Sequence, residues 1–246
     1  RFLQDHGIEK GDKVGIFSPN HVDYGAVFYG ILLAGATVTT LNPLYREREI
    51  EHQLDDAEAV ALFVFSPMAE PVEAARKNLP RLRHVWPIES LPDLVGGVSE
   101  EYRPVEINPR EDIAVLPYSS GTTGLPKGVM LTHYNITSNV KQGLATEQLT
   151  SDAIGLCVLP FFHIYGMTVL LSTGLALGIT GVVMMRFDVE QMLQLVGKYG
   201  MTNLFLAPPA ILAMANVPNP SRFDTSALRV VHSGAAALPP EVAERV

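Results

Sequence analysis

The stretch DIAVLPYSSGTTGLPKGVMLTHYNITSNVKQGL, residues 112–144, changes character twice along its length. It begins as an apolar, β-branched run typical of a strand, passes through glycines, hydroxyl residues and one lysine, and ends in a helical pattern capped by Thr132. We therefore expect a glycine-rich connection between a strand and a helix. Such a connection can offer backbone N–H groups and the helix dipole to an anion, while hydroxyls and a lysine add further donors. The stretch predicts a phosphate-binding loop.

The lysine does not belong to a Walker A loop. That motif has glycine before the lysine and serine or threonine after it, the latter for Mg²⁺. Here Pro126 precedes Lys127 and Gly128 follows it. The interpretation as a P-loop NTPase therefore fails at two positions.

Short apolar runs alternate with longer helical patterns along the rest of the chain. Strands that are apolar on both faces and separated by helices are typical of parallel sheets. We therefore predict an α/β fold of layered, mostly parallel sheets flanked by helices. The predicted strands are residues 13–18, 36–41, 59–65, 112–119, 153–159, 181–185, 202–207 and 228–233, and the predicted helices include 22–35, 46–58 and 188–200.

Residues 87–111 differ in composition from their surroundings. They contain four prolines, a Gly-Gly pair and several acidic residues, which is typical of a surface loop. We expect this loop, about residues 87–110, to join two α/β subparts, about 1–86 and 111–246.

The overall composition limits the choice of partners and compartment. The 246 residues carry a formal net charge of −8, which argues against nucleic acid or an anionic membrane as the main partner. The single cysteine, Cys157, is typical of a reducing, cytoplasmic location. Residues 167–185 are uncharged and long enough to span a bilayer, but three glycines interrupt them. We expect a buried helix followed by a central strand there, and no transmembrane segment.

Several other chemistries lack support. The sequence has no H-E-x-x-H and no paired Cys-x-x-C motif, so we predict no protein-held metal site. Asp55 and Asp56 are adjacent on a predicted helix and cannot face one site together. Cys157 lies in a predicted buried strand, which indicates a core residue and not a nucleophile.

Five segments together resemble a known family. YSSGTTGLPKGVMLTH (118–133) resembles the signature loop of the adenylate-forming superfamily, which includes acyl-CoA synthetases, 4-coumarate–CoA ligases, luciferases and peptide-synthetase adenylation domains. The resemblance extends over almost the whole chain and is nearest to the 4-coumarate–CoA ligase-like acyl-CoA synthetases. It implies the fold of that family's large N-terminal domain. The other similar segments, in the family's order, are GIEKGDKVGIFSPN, YGILLAGATVTTLNPLY, LPFFHIYGM and SGAAALPPEV.

The resemblance implies a two-step reaction. A carboxylic acid is first joined to ATP, with Mg²⁺, to give an acyl-adenylate, and the acyl group then passes to the thiol of coenzyme A. By resemblance, Lys127 and His163 act in catalysis, His163 by orienting the carboxylate. Gly234 and Ala235 border the acyl group, and Arg186 stands where related ligases contact coenzyme A. The implied ATP-phosphate residues are Ser119, Ser120, Gly121, Thr122, Thr123, Gly124 and Lys127, and the implied acid-binding residues are His163, Tyr165, Val169, Gly234 and Ala235.

Some alternatives remain open at this stage. His163 can also be read as a core histidine, Arg186 as a solvated charge, and His232 as either an acyl-pocket residue or a strand residue facing another layer. Ala237 stands where the family pattern has proline, which leaves the local loop shape open. The family's later motifs are absent, so we expect part of the large domain, without its C-terminal part or the small C-terminal domain. A luciferase-like or peptide-synthetase member, or an inactive nucleotide-binding relative, are the other readings.

Overall fold

The apolar runs form most strands of two sheets, one mostly parallel and one fully parallel. The computed structural model describes residues 1–99, 101, 103–119, 125–146 and 149–246. These form two units, residues 1–139 and residues 140–246. The strands are β1 Lys13–Phe17, β2 Thr37–Thr40, β3 Ala59–Val64, β4 His84–Pro87, β5 Ile113–Val115, β6 Tyr118–Ser119, β7 Lys127–Gly128, β8 Leu131–Thr132, β9 Ile154–Cys157, β10 Thr180–Val183, β11 Asn203–Leu206 and β12 Val230–Ser233.

Helices connect most of these strands, as the alternating pattern predicts. A π-helical segment, Gly166–Thr173, leads directly into α7. Single-turn 3₁₀ helices occupy 66–68, 88–90 and 220–222. The α-helices are α1 Phe2–Asp5, α2 Tyr24–Leu33, α3 Glu47–Asp56, α4 Ala69–Arg76, α5 Leu91–Val95, α6 His133–Thr146, α7 Gly174–Leu177, α8 Val189–Tyr199, α9 Pro208–Ala215 and α10 Pro240–Ala243.

The first unit is built on a six-stranded sheet in the order β4-β3-β1-β2-β5-β8. All pairs are parallel except β5 with β8. Helix α3 packs on this sheet because its apolar residues recur on one face: Ile50 and Leu54 are buried in a core with Phe17 and Leu62. Truncating Ile50 to alanine would cost about 2–5 kcal/mol of stability, the usual range for a large core side chain.

The second unit is built on a four-stranded parallel sheet in the order β10-β9-β11-β12. Leu156 and Leu204 of this sheet pack against Met192 and Val196 of α8. The Asp188 carboxylate accepts a hydrogen bond from Gln191 N at 2.8 Å and so caps α8, as the sequence predicts. This sheet confirms the layered, mostly parallel α/β fold in the second half of the chain.

The uncharged stretch 167–185 forms the π-helical segment, α7 and β10. Among the described residues, no helix is both long and apolar enough to cross a membrane. The expectation of a central strand is wrong: β10 pairs with β9 alone in the described chain, and Thr180 and Gly181 are exposed. Its run of valines and methionines resembles a central strand, although one face stays partly open.

The unit boundary differs from the one expected at 87–110. Strands β5 and β8 follow that loop in sequence, yet both belong to the sheet of the first unit. Thr37 Oγ1 also donates to Ile113 O at 2.7 Å, which ties β5 to β2. The chain therefore divides after Asn139. Residues 88–95 of this stretch form a 3₁₀ helix and α5, and its distinctive composition does not mark the boundary between the two units.

Candidate functional site

The glycine-rich stretch is anchored by a small antiparallel hairpin. Strand β6 pairs with β7, so that Tyr118 lies opposite Gly128 and Ser119 lies opposite Lys127. The Tyr118 ring covers Gly128: a Cβ at that glycine would lie 3.1 Å from two ring carbons. Glycine thus lets the ring pack against the opposite arm. The hairpin brings the first and last predicted phosphate residues, Ser119 and Lys127, side by side.

This hairpin corrects the expected path from strand to helix. Val129 N donates to Pro117 O at 2.9 Å, and β8 then intervenes before α6 begins. The first N–H groups of α6 are already bonded: His133 N donates to Asp112 O and Tyr134 N to Pro109 O. The predicted cap is confirmed, since Thr132 Oγ1 accepts from Asn135 N at 3.3 Å. These two N–H groups are therefore not available to a ligand.

Helix α3 contacts both arms of the hairpin. Tyr118 Oη donates to Asp56 Oδ2 at 2.5 Å, on the arm before the glycine-rich loop. His52 Nε2 lies 3.1 Å from Pro126 O, on the arm after it, and donates because the carbonyl can only accept. Partial burial and the Asp56 carboxylate together raise the pKa of the Tyr118 phenol, so it remains a donor at neutral pH.

The predicted phosphate residues fall into two groups. Ser119 and Lys127 are described, and both are exposed, so their side chains are open to a ligand. The other five lie outside the described residues: Ser120, Gly121, Thr122, Thr123 and Gly124.

In the second unit, His163 lies in the turn between β9 and the π-helical segment. His163 N donates to Pro160 O at 3.1 Å, and Met167 N donates to His163 O at 2.9 Å. The ring nitrogen Nδ1 lies 3.3 Å from Tyr165 N and accepts from it, so the neutral ring carries its proton on Nε2. His163 is exposed, which excludes the alternative of a core histidine.

Two predicted acid-binding residues, Tyr165 and Gly234, meet in the second unit. A Cβ built at Gly234 would lie 2.3 Å from Tyr165 Oη and 2.5 Å from Cζ. Any side chain at position 234 would therefore displace the Tyr165 ring. Gly234 is held in place by its N–H, which donates to Leu206 O at 3.1 Å.

The bend after β12 carries an unusual backbone angle. Ala235, which is exposed, has φ +71°, a left-handed conformation that costs an alanine roughly 1–2 kcal/mol. Strand residue His232 stacks on Phe205 of β11, with ring centroids 4.1 Å apart and planes 1° from parallel. Its ring therefore has a defined orientation beside the bend. Val169 is half-buried in the π-helical segment, four residues after Tyr165.

The remaining predicted groups are peripheral or buried. Arg186 is exposed in the bend between β10 and α8. Cys157 is buried in β9, and that burial raises the pKa of its thiol to about 11, as suits a core residue. Within the described ranges, no cluster of three or more His, Cys, Asp or Glu side chains could hold a metal ion.

Comparison with known protein families matches residues 1–246 to the family described as AMP-binding enzyme. The chain belongs to the AMP-binding enzyme family. Its fold agrees with this: a long-chain-fatty-acid–CoA ligase from Archaeoglobus fulgidus superposes with a TM-score of 0.90 at 33% identity, covering 99% of this chain and 50% of that one. ATP-bound MatB from Rhodopseudomonas palustris superposes with a TM-score of 0.86 at 25% identity, covering 99% and 48%.

Among curated relatives, this AMP-binding chain is 35% identical to 4-coumarate–CoA ligase 1 of Petroselinum crispum. The match covers 99% of this chain and 46% of the relative. The chain therefore spans about half the length of the curated relatives it matches.

Sequence reasoning missed the residues of α3 that contact the hairpin. His52 and Asp56 lie one helical turn apart, on a helix that was predicted but assigned no site residue. Nothing in a single sequence distinguishes a polar residue in water from one that holds a neighbouring loop. The sequence of this AMP-binding chain therefore offered no signal for them.

Proposed function

We propose that this chain forms part of an ATP-dependent acid–CoA ligase. In the first step, a carboxylate oxygen attacks the α-phosphorus of ATP, giving an acyl-adenylate and releasing pyrophosphate. In the second step, the coenzyme A thiol loses its proton and attacks the acyl carbon, giving a thioester and releasing AMP. The proposal rests on family membership and on the similarity to CoA ligases.

The observation that carries the proposal is the pairing of Ser119 with Lys127 across the hairpin. A carboxylic acid is already ionised near pH 7, so its activation needs no general base. The difficulty is bringing this anion to the α-phosphorus of a polyanion. Exposed donors and a cation at the two ends of a hydroxyl-rich loop would offset that repulsion and stabilise the departing pyrophosphate.

His163 is our candidate for orienting the acid. Its Nδ1 is occupied by the Tyr165 N–H, which leaves Nε2–H as a donor on an exposed ring. A donor of this kind can hold one carboxylate oxygen while the other reacts. Tyr165, Val169, Gly234 and Ala235 are proposed to line the acyl group, with the Tyr165 ring fixed against Gly234.

Magnesium and coenzyme A complete the proposal. Mg²⁺ is commonly bound through substrate phosphates and water with few protein ligands, which fits a described chain that lacks a carboxylate cluster. Bound there, it would neutralise phosphate charge. Exposed Arg186 is proposed to contact coenzyme A. We place the protein in the cytoplasm on its single cysteine, which suits a reducing compartment.

The decisive experiment uses the full-length protein carrying this chain. Aromatic and aliphatic carboxylic acids of increasing length are each tested for acid-dependent exchange of labelled pyrophosphate into ATP, with and without coenzyme A. We expect exchange with a subset of acids, and a thioester only when coenzyme A is added. Exchange without a thioester would indicate a luciferase-like or carrier-loading enzyme, and no exchange with any acid would contradict the proposal.

A further inference from the structure

Helix α3 ties down the glycine-rich hairpin from one side, through residues one helical turn apart. Asp56 accepts from Tyr118 at 2.5 Å on the entering arm, and His52 donates to Pro126 O at 3.1 Å on the leaving arm. The two contacts thus lie on either side of the loop that connects the arms. A hairpin held on both arms keeps its ends at a fixed separation.

A third contact fixes the segment that enters the hairpin. Gln53, only 1% exposed, donates from Nε2 to Thr39 Oγ1 at 2.8 Å and to Thr40 O at 3.1 Å. Thr39 Oγ1 in turn donates to Leu116 O at 3.0 Å, two residues before Tyr118. This chain of hydrogen bonds connects α3, through β2, to the short segment between β5 and β6. Among the described residues Gln53 Oε1 has no partner, so the network acts through the two Nε2 hydrogen bonds and the Thr39 hydroxyl, which a low local dielectric strengthens.

The core anchors α3 itself. Ile50 and Leu54, on the same helix, are buried against the sheet at 0% and 1% exposure. Apolar packing therefore fixes the helix against the sheet, and its polar residues contact the hairpin. Rigid support of this kind lowers the ordering cost of ligand binding and keeps reacting groups aligned.

We propose that His52, Gln53 and Asp56 are positioning residues for nucleotide binding, holding the hairpin so that Ser119 and Lys127 meet the ATP phosphates together. This inference rests on the proposed function and extends it to a helix that does not itself carry the loop. The three side chains contact the hairpin and the segment before it. They therefore act on the nucleotide only through other residues. Their loss should weaken binding of MgATP and leave the affinity for the acid unchanged.

The test uses Asp56→Ala, Tyr118→Phe and their combination in the full-length protein. Each single change removes one side of a hydrogen bond, and we expect the KM for MgATP to rise about 5–10-fold. The double variant should be no worse than the worse single variant, because both remove the same contact. The KM for the acid and the melting temperature should stay close to wild type. Asp56→Asn, whose amide oxygen can still accept, should restore most of the loss.

A second pair of variants tests the other arm. His52→Ala should raise the KM for MgATP about 3–5-fold, while His52→Gln, which keeps an N–H donor, should raise it less. Hydrogen–deuterium exchange of peptides containing Lys127 and Gly128 should be faster in His52→Ala and Asp56→Ala. Gln53 is left unchanged in these tests because its burial would confound positioning with folding.

The control is Asp55→Ala, which removes the same charge from the adjacent, exposed position on α3. It should leave the KM for MgATP at the wild-type value. The inference is overturned if Asp56→Ala and His52→Ala match this control, or if the hairpin exchanges faster while the KM is unchanged. Lys127→Ala separates the two levels: if pyrophosphate exchange survives that change, the proposed function itself has failed. If it abolishes exchange while the α3 variants match the control, only the positioning role has failed.

Discussion

The hairpin of the first unit and the Tyr165–Gly234 contact of the second unit are built by opposite means. The hairpin is polar and exposed, and side-chain hydrogen bonds from α3 hold it. The contact in the second unit depends on a missing side chain, since an aromatic ring lies where a Cβ at Gly234 would be. Side-chain hydrogen bonds tolerate small shifts of the groups they join, whereas close packing of a ring against a backbone does not. Under the proposed function, we expect the first region to contribute to the binding of phosphate charge and the second to the fit of the acyl group.

The strongest way to break this comparison is Lys127→Ala. Removing one preorganised donor from an oxyanion hole costs about 2.7–4 kcal/mol; if Lys127 holds the phosphates as proposed, we expect a loss of similar size, so pyrophosphate exchange should slow about 10²–10³-fold. Because Lys127 is exposed, the melting temperature should not change. Lys141→Ala, an exposed lysine of α6, is the matched control and should keep wild-type exchange. Wild-type exchange kinetics in Lys127→Ala would contradict the assigned role.

His163→Ala should have the next largest effect. Loss of a hydrogen bond to a charged group costs about 1.5–3 kcal/mol, which corresponds to roughly a 10–100-fold fall in kcat/KM for adenylation. His163→Asn keeps an oxygen that can accept from Tyr165 N but lacks the ring. If the asparagine variant recovers activity, the imidazole ring itself is not required, because the asparagine amide supplies both an acceptor for Tyr165 N and an N–H donor. Equal losses of stability and activity in His163→Ala would also argue against a role at the acid.

Gly234→Ala tests the close packing of the second region. Pushing the Tyr165 ring aside should cost about 1–2 kcal/mol, seen as a roughly 10-fold rise in the KM for the acid with little change for MgATP. The control is Gly155→Ala, where a Cβ would meet its nearest neighbour at an ordinary 3.8 Å. If the MgATP constant changes instead, the proposed division between charge and shape is wrong.

A smaller effect concerns pH and the unit that carries the hairpin. Partial burial lowers the pKa of His133, the first residue of α6, and burial together with His6 and Arg83 lowers the pKa of His84. As pH falls, the unfolded histidines take up protons before the folded ones do. The stability that these neutral histidines give to the folded state is therefore complete above about pH 6.5 and is lost as pH falls below that value.

Solvent screening limits that loss to roughly a few tenths of a kcal/mol. Urea unfolding gives the free energy of unfolding at pH 7.5 and at pH 5.5. The difference between these two free energies should be smaller in His133→Gln than in wild type. An equal difference in the variant would exclude His133 as a source.

The sequence predicted the layered fold because buried parallel strands are continuous apolar runs. Strands β1 and β3 lie within a residue of their predicted bounds for this reason. The sequence did not predict the hairpin, because two-residue strands such as β6 and β7 are too short to show an alternating pattern. The predicted strand 112–119 is interrupted at Pro117, which has no N–H to donate.

The candidate site shows the same division. Ser119 and Lys127 were predicted because the composition of their loop is itself a chemical signal, and the family resemblance supplied His163 and Tyr165; their roles at the site stay predictions. The contacts of His52 and Asp56 depend on where a helix lies in three dimensions, and no local pattern encodes that. The expectation that the N-terminus of α6 can meet an anion was wrong for a related reason. Its first N–H groups donate to the carbonyl oxygens of Asp112 and Pro109, and these contacts depend on the fold.

The left-handed alanine at position 235 has one further consequence. Glycine there would remove the steric penalty of roughly 1–2 kcal/mol. It would also raise the conformational entropy of the unfolded chain, which would disfavour folding by about 0.5–1 kcal/mol. The folding equilibrium would therefore move only slightly with either residue. What alanine alters is the number of backbone conformations open to the bend in the folded protein, which it narrows relative to glycine.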